Sequence, residues 1–255
     1  MCVRAADLVW VGGFVVQTTE GENSGLAAER PASELAFDAV ASVYDSWFES
    51  PLGQTVDALE KDLLYRLAEP RAGERMLDVG TGTGHFAFDL ALRGGDVVAM
   101  DVSAPMLSLA RSKGGSVRLF GGDAAALPVA SNCFDLVLSV TALEFVADRE
   151  SAVGEMWRVL RPAGRLVVAV LNALSPWAWT RRREARAQET PFSNAHFFYP
   201  WEFADLLGRL GPVTWSSSVF VGPNGTGLGW AWALERLGRS LLKPLGALLV
   251  GRVTK

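Results

Sequence analysis

The sequence predicts an α/β protein with a doubly wound, mostly parallel seven-stranded sheet and helices on both of its faces. Short, nearly continuous apolar runs alternate with segments whose apolar residues recur at helical spacing, which is typical of parallel strands joined by helices. A glycine-rich turn, "VGTGTG", follows the first of these runs. The 255 residues, 49% hydrophobic and 20% charged, are sufficient for one large domain with a substantial core.

Residues 1–33 come before the regular pattern begins. They contain a short apolar patch from Leu8 to Val16, which could add an edge strand; a secretory signal peptide is the less favoured alternative, because a clean cleavage site is lacking. We therefore expect a poorly ordered N-terminal extension, followed by one main domain over residues 34–255.

Two helices are predicted before the first strand, within residues 34–70. The first places Phe37, Tyr44 and other aromatic or apolar residues at helical spacing, with Ser33 as its N-cap, and ends at Pro51. The second spans residues 54–69 and ends before a proline, which cannot continue a helix.

The alternating part of the chain follows. We expect strands over 75–79, 97–100, 116–120, 134–139 and 165–171, and helices over 85–93, 105–113 and 149–160. A looser link at 124–132 joins the third and fourth of these strands. The tail, with strands over 213–221 and 246–254 around a helix at 228–242, predicts an antiparallel pair at the edge of the sheet.

The composition excludes several classes of function. A net charge of −4 and a pI of about 5.3 argue against a nucleic-acid partner, which requires a basic face. Cys2 and Cys133 form no disulfide framework, which is typical of the reducing cytoplasm, and together with His85 and His196 they give no metal-site spacing. No apolar run reaches the roughly 18–20 residues that span a bilayer.

The glycine turn predicts a ligand site. Glycines between Gly80 and Gly84 permit positive φ angles and let a ligand lie against the main chain, and the helix that follows offers unpaired N–H groups to an anion. Asp101 ends the next strand, where a carboxylate can accept hydrogen bonds from both hydroxyls of a ribose or cap the following helix. These features indicate a nucleoside with an anionic group attached.

The spacing of the glycines and the positions of the acids narrow the choice of ligand. A dinucleotide normally requires G-x-G-x-x-G, whereas this turn is G-x-G-x-G with Asp78 two residues before its first glycine. Asp123 follows the third strand and could accept a hydrogen bond from the amine of a base, or simply cap a turn. Acids beyond three successive strands, without basic residues beside them, suit an amine and a hydroxylated sugar better than a pyrophosphate.

From about Phe37 to the C-terminus the chain resembles the class I S-adenosylmethionine-dependent methyltransferases, in particular the type 11 branch with its Rossmann-like fold. Four segments carry the resemblance, in order and at the family's spacing: "LDVGTGTGHFAFDLA", "VVAMDVSAPMLSLAR", "GDAAALPVASNCFDLVLSVTALEFV" and "EMWRVLRPAGRLVVAVLN". Residues 34–70 correspond to the N-terminal lid of that branch. The chain departs from many relatives by having Phe145 where they have histidine.

The resemblance implies which residues bind S-adenosyl-L-methionine. They are Asp78, Gly80, Thr81 and Gly82 at the amino-acid end, Asp101 at the ribose, Val102, Met106, Asp123 and Ala124 around the adenine, and Tyr44 closing over the site. No catalytic base is identified, and only His196 and Tyr44 are candidates. Aromatic residues such as Tyr44 at helical spacing are also typical of a core, and a packed histidine is the plainer interpretation of His196.

Residues 172–201 are expected to form an insert that shapes the substrate pocket. Its aromatic residues could wall an apolar pocket or fasten the insert to the sheet. Its arginines, Arg181, Arg182, Arg183 and Arg186, are typical of a solvated helix face, with an anionic substrate or lipid headgroup as the alternative. The helix at 228–243 is expected to pack on the sheet through Leu234, Leu237 and Leu241, which makes contact with a membrane surface the less favoured interpretation.

The predicted activity is methyl transfer from S-adenosylmethionine to a small-molecule acceptor, by a cytoplasmic monomer or homodimer. Two alternatives remain open. A protein that binds S-adenosylmethionine without turnover is favoured slightly by Phe145, which removes a polar group near the fourth strand. A nicotinamide-dependent oxidoreductase would share the sheet, the glycine turn and Asp101, but the glycine spacing argues against it.

Overall fold

A computed structural model of the chain describes residues 8–11, 14–17, 37–38 and 41–255. The strands of this part are β1 (Leu8–Val11), β2 (Phe14–Gln17), β3 (Arg75–Val79), β4 (Asp96–Asp101), β5 (Arg118–Gly121), β6 (Phe134–Val140), β7 (Leu160–Leu171), β8 (Thr214–Ser218) and β9 (Leu248–Thr254). The helices are α1 (Ala41–Tyr44), α2 (Pro51–Ala68), α3 (His85–Leu92), α4 (Ala104–Ser112), α5 (Arg149–Val159), α6 (Pro176–Ala187), α7 (Pro200–Gly208) and α8 (Ala231–Leu241).

Seven strands form one sheet in the order β5-β4-β3-β6-β7-β9-β8. Strands β3 to β7 pair in parallel, and β9 is antiparallel to both of its neighbours. The predicted fold class is therefore confirmed. Because β4 and β6 lie on opposite sides of β3, the strand order reverses at β3, and a crevice is expected beyond its carboxyl end.

The two strands of the tail form the predicted antiparallel pair at the edge of the sheet, and the C-terminal strand is the inner member of this pair. β9 pairs with β7 on one side and with β8 on the other. Its residues from Leu248 to Gly251 are buried, whereas β8, with the sequence TWSSS, is more polar and begins exposed. The more polar strand thus occupies the edge, where only one side is covered.

Helices cover both faces of the sheet. α5 and α7 pack on one face through Met156, Phe203 and other buried residues, and α2 and α3 pack on the other face through Leu64 and Leu90. None of the described helices is long and apolar enough to cross a bilayer. The carboxyl ends of the central strands stay uncovered by these helices, and this is where the candidate site lies.

The single helix predicted over residues 33–50 is wrong. The described part contains only the short helix α1, followed directly by a 3₁₀ turn over Asp45–Glu49. Pro51 begins α2 instead of ending a helix, since Ser50 caps α2 by accepting a hydrogen bond from the Gly53 amide at 2.9 Å, and proline is favoured at the first helical position. The predicted cap at Ser33 lies outside the described residues.

Gly53 explains how the 3₁₀ turn and α2 fit together. A Cβ at this position would lie 1.9 Å from the carbonyl oxygen of Trp47, so only glycine allows the turn to approach the helix so closely. We call the described residues 37–38 and 41–50 the lid segment.

In the N-terminal extension, β1 and β2 pair with each other as an antiparallel two-stranded sheet. They do not join the seven-stranded sheet, so the expected edge strand is not found in this part. The sequence between them is Gly-Gly, a common signal for a hairpin turn. The remainder of the prediction for residues 1–33 falls outside the described residues.

Helix α8 packs only partly through the predicted face, since Leu234 is half-buried against the cluster that contains Val219 and Val221. Glu235 is buried, and its carboxylate accepts hydrogen bonds from the Ser218 hydroxyl and the Val219 amide at 2.6 and 3.0 Å. Leu237 and Leu241, which were expected to face the sheet, are exposed. These hydrogen bonds from the end of β8 to Glu235 therefore determine the orientation of this helix more than its apolar stripe does.

Candidate active site

A cavity of about 1040 Å³ opens at the carboxyl ends of β3, β4 and β6. All ten residues predicted to bind the cofactor line it: Tyr44, Asp78, Gly80, Thr81, Gly82, Asp101, Val102, Met106, Asp123 and Ala124. They come from the lid segment, from the ends of three strands and from helix α4. The fold brings them together because parallel strands all end at the same edge of the sheet.

The glycine turn has the backbone geometry that its sequence predicts. Gly80 has φ +77°, and a Cβ there would lie 2.2 Å from the Cβ of Ala142. Gly82 has φ +55°, and a Cβ there would meet no protein atom within 4 Å. The glycine at position 80 thus allows the turn to pack closely against Ala142, whereas Gly82 exposes its main chain to the open cavity.

The amides of this turn, however, are not free to bind an anion. The N–H groups of Gly80 and Thr81 both donate to the Met100 carbonyl at 2.9 Å, and the Gly82 N–H donates to Asp101 Oδ2 at 2.6 Å. The end of β4 lies close enough to satisfy them. Residues 80–82 therefore present no free amide to an anion, whereas the prediction of unpaired donors concerns the start of α3 and stays a prediction.

Asp78 is a buried carboxyl at the end of β3. Its Oδ2 accepts a hydrogen bond from the Thr81 hydroxyl at 2.6 Å. Burial, with a smaller contribution from the charge of Asp101, raises the pKa of Asp78 to about 7. Nearby, the Ser139 hydroxyl is buried in the cavity wall without a hydrogen-bond partner among the described atoms. A ligand amine at this point would find both an acidic and a neutral acceptor.

Asp101 is fixed by main-chain donors at the end of β4. Its Oδ1 accepts from the Ser103 amide at 2.9 Å, and its Oδ2 accepts from Gly82. Burial raises the pKa of this carboxyl, although these hydrogen bonds oppose the shift. Ser103, and not Asp101, caps α4, through a bond from the Met106 amide to its hydroxyl at 3.2 Å. The lone pairs that remain on Asp101 can accept hydrogen bonds from a ligand.

Asp123 lies at the rim of the cavity and is exposed. Its Oδ1 accepts a hydrogen bond from the Ala125 amide at 2.8 Å, which is the turn-capping role that the sequence left open. Of the three acids in the cavity wall, it is the one most accessible to solvent.

The lid segment is fastened across the cavity by polar contacts that the sequence did not identify. The Thr83 hydroxyl donates to Asp45 Oδ1 at 2.6 Å, and Lys113 Nζ lies 2.6 Å from Asp45 Oδ2. The Ser103 hydroxyl donates to Asp38 Oδ1 at 2.5 Å. These contacts join the lid segment to the residues beside α3 and α4 and hold Tyr44 over the cavity.

The two residues considered for catalysis lie in different surroundings. Burial, with the nearby Glu60 and Asp45, raises the pKa of the Tyr44 hydroxyl, so Tyr44 is a poor base. His196 does not line this cavity or the one next to it. Its Nε2 lies 2.5 Å from Glu202 Oε1, because a bridge between Asn172 and Phe198 holds this part of the chain against the end of β7.

A second cavity, of about 1240 Å³, adjoins the first. The two share Phe37, Tyr44, Phe86, Thr141 and Phe145 in their walls. The second cavity is also lined by Trp47, Phe48, Trp177 and Phe192, with Glu60, Thr180, Arg181 and Glu184 among its polar residues. Helix α6 contributes four of these side chains, so the part of the chain predicted to be a substrate-pocket insert does line a cavity.

The chemistry of the first cavity is that of a site for a positively charged nucleoside. Its described wall contains three carboxylates and no lysine or arginine. This composition fits a ligand with an amine, a sugar and a cationic centre, and it does not fit a pyrophosphate. Among the described residues, no group of three or more His, Cys, Asp or Glu side chains is arranged to hold a metal ion.

Comparison with known proteins gives the same assignment. A family model described as "Methyltransferase domain" matches residues 77–168. The Ubiquinone/menaquinone biosynthesis C-methyltransferase UbiE of Cereibacter sphaeroides is 33% identical over 174 residues, which are 64% of this chain and 67% of the relative. The chain belongs to the class I S-adenosylmethionine-dependent methyltransferases of type 11. S-Adenosyl-L-methionine is the cofactor of this family.

Further relatives and structures agree with this family. The demethylmenaquinone methyltransferase of Beutenbergia cavernae is 40% identical over 178 residues, 68% of this chain and 66% of the relative. A Thermotoga maritima structure, described as a SAM-dependent methyltransferase and possible histamine N-methyltransferase, has a TM-score of 0.68 at 25% identity and covers 88% of this chain and 99% of its own. The alignments span between 49% and 66% of the length of four curated relatives.

Proposed function

We propose that this chain transfers a methyl group from S-adenosylmethionine to a small-molecule acceptor. One observation carries the proposal: a cavity walled by carboxylates without lysine or arginine opens into a second cavity walled by aromatic rings. The first suits a cationic nucleoside, and the aromatic rings of the second suit a flat aromatic acceptor. The quinone methyltransferase names of two relatives support an acceptor of this kind.

Each end of the cofactor has a chemical match in the first cavity. Asp78 and Ser139 would accept hydrogen bonds from the amino group, and Asp101 would accept them from the ribose hydroxyls. The bare main chain at Gly82 leaves room for the ligand beside them. Val102 and Met106 would border the adenine, Asp123 with Ala124 would face its amine, and Tyr44 would close over the site.

The protein contributes mainly by alignment and by the exclusion of water. When bound, the cofactor would supply a methyl group on a cationic sulfur; in-line transfer would form a bond from the acceptor to the methyl carbon and leave the electron pair of the broken carbon–sulfur bond on sulfur. Holding acceptor and methyl in this geometry can contribute on the order of 7–11 kcal/mol. The lid contacts of Asp38 and Asp45 keep Tyr44 over the junction of the two cavities, where the transfer would occur.

No histidine lies at the junction of the two cavities among the described residues. Thr141, Tyr44 and three phenylalanines form the shared wall. An acceptor that is already ionised, or that reacts through an electron-rich carbon, needs no strong base in the transition state. We therefore propose that proton removal from the acceptor is not the main task of this site.

The partner and compartment proposed are those expected from the sequence: a small molecule, no nucleic acid, a monomer or homodimer, and the cytoplasm. A second candidate function is cofactor binding without methyl transfer. Phe145 favours it, since an apolar ring lies at the junction where many relatives have histidine. The structural similarity to the [4+2]-cyclase SpnF, with a TM-score of 0.62 at 20% identity, concerns the fold alone.

The test uses calorimetry followed by a transfer assay. Titration with S-adenosylmethionine and S-adenosylhomocysteine should show binding by the wild-type protein, and an absence of heat with both compounds would overturn the proposal. Incubation with methyl-labelled cofactor and a panel of hydroxylated aromatic compounds should then give a labelled product. Binding without label in any product would favour the second candidate.

A further inference from the structure

Arg181 stands out among the polar residues of the second cavity. Its guanidinium lies 5.2 Å from the ring centre of Trp177 and 4.8 Å from that of Phe192. Among the described residues it forms no hydrogen bond, and no carboxylate lies within 4.0 Å of it. Burial lowers the pKa of this group, although Glu60 and Glu144 lie near enough to oppose the shift.

The neighbouring arginines of α6 point elsewhere. Arg182 donates to the Ala173 carbonyl at 3.4 Å, and Arg183 lies over the ring of Trp179, which is exposed. Of the four arginines expected to form a solvated face, only Arg181 lines the second cavity. The prediction is therefore wrong for this residue, because α6 packs with Trp177 inward and carries Arg181 with it.

Glu60 does not neutralise Arg181, although it lines the same cavity. Burial raises the pKa of the Glu60 carboxyl to about 8, even with Arg181 nearby. At neutral pH the carboxyl is therefore mainly protonated and can donate a hydrogen bond. The cavity thus holds a half-buried guanidinium between aromatic rings, with no ion pair within 4.0 Å among the described residues; Glu184, which lines the same cavity, acts on it only at longer range.

A guanidinium held in this way is stabilised when a ligand supplies the missing anion, since an unpaired buried charge is costly. We propose, on the basis of the proposed function, that the acceptor is a flat aromatic molecule with a carboxylate or similar anionic oxygen group that pairs with Arg181. The rings of Trp177 and Phe192 would flank the aromatic body. The planar guanidinium can bind two oxygens at once, which would orient the acceptor toward the methyl group.

The experiment compares two probes of the same shape, 2-naphthoate and 2-naphthamide, in the presence of saturating S-adenosylhomocysteine. Calorimetry should show that the wild-type protein binds the anion at least tenfold more tightly than the amide, because a charge-assisted pair replaces a neutral hydrogen bond. Arg181→Gln should abolish that preference and leave the affinity for the amide unchanged. Arg181→Lys should retain part of the preference.

Arg183→Gln, on the exposed side of the same helix, is the matched control and should behave as the wild type. Equal affinity for the two probes, a preference that persists in Arg181→Gln, or no binding of either probe would each overturn the inference. Affinity for S-adenosylhomocysteine is measured separately in every variant. Its absence in the wild type would overturn the proposed function, whereas normal cofactor binding with equal probe affinities would overturn only the assignment of Arg181.

Discussion

The raised pKa of Asp78 predicts that cofactor affinity depends on pH. This buried carboxyl must be ionised to pair with the cationic amino group of the ligand, and its pKa in the free protein is about 7. The folded pKa is above the ordinary value, so the free protein retains the proton at low pH and ligand binding must release it. The ionised fraction rises from about 0.09 at pH 6.0 to about 0.76 at pH 7.5. Affinity should therefore increase about eightfold over this interval.

Calorimetry with S-adenosylhomocysteine at several pH values, in buffers of different ionisation enthalpy, measures both the affinity and the proton released. Asp78→Asn should bind more weakly at pH 7.5 and should lose most of the pH dependence. The part that persists is assigned to Asp101, whose pKa is also raised. If the affinity of the wild type stays within twofold between pH 6.0 and 7.5, or if the variant keeps the full slope, the pairing of Asp78 with the amine is refuted.

Three further predictions concern the turn, the ribose site and the lid. Gly80→Ala should lower the free energy of unfolding by roughly 3 kcal/mol, because the residue has a positive φ and an added Cβ would overlap a neighbouring side chain. Gly82→Ala should lower the free energy of unfolding by only about 1 kcal/mol, and its main effect should be weaker cofactor binding. Asp101→Ala should abolish most cofactor affinity while the circular dichroism spectrum stays unchanged. Asp45→Asn should accelerate dissociation of S-adenosylhomocysteine several-fold in stopped-flow measurements, because its pairing with Lys113 holds the lid segment.

Each of these has a contradicting result. Equal stability of the two alanine variants in urea would show that the turn does not depend on the geometry of Gly80. Wild-type affinity in Asp101→Ala would remove the ribose assignment. An unchanged dissociation rate in Asp45→Asn would show that the lid segment does not limit release of the ligand, and Glu49→Gln, at the exposed end of the same segment, is its control.

The sheet and the position of the cavity could be predicted from the sequence because both follow from local patterns. Apolar runs mark the buried parallel strands, and a residue directly after such a run must lie at the carboxyl edge of the sheet. Asp78 and Asp101 each lie in or at the end of such a run, and both line the cavity at that edge. The glycine turn between them has the positive φ angles that its composition indicates.

The remaining features depend on packing between distant segments, which periodicity does not report. The amides of Gly80 and Thr81 donate to the carbonyl of Met100 in β4. The distance between this strand and the turn depends on how the whole sheet assembles. Arg181 faces a cavity because Trp177 fixes the rotation of α6, through an indole N–H that donates to the Val221 carbonyl at 2.8 Å. His196 lies outside both cavities because the bridge between Asn172 and Phe198 holds its segment against the end of β7.

The contacts of the lid segment have a consequence for turnover. Asp45 and Lys113 are both partly accessible to solvent, and ion pairs of this kind contribute roughly 1 kcal/mol or less. The seven-stranded sheet, in contrast, is anchored by fully buried residues on both faces. Spent cofactor can therefore leave by a small local opening that costs little free energy and leaves the sheet undisturbed. Exchange of the nucleoside and stability of the fold thus depend on separate interactions.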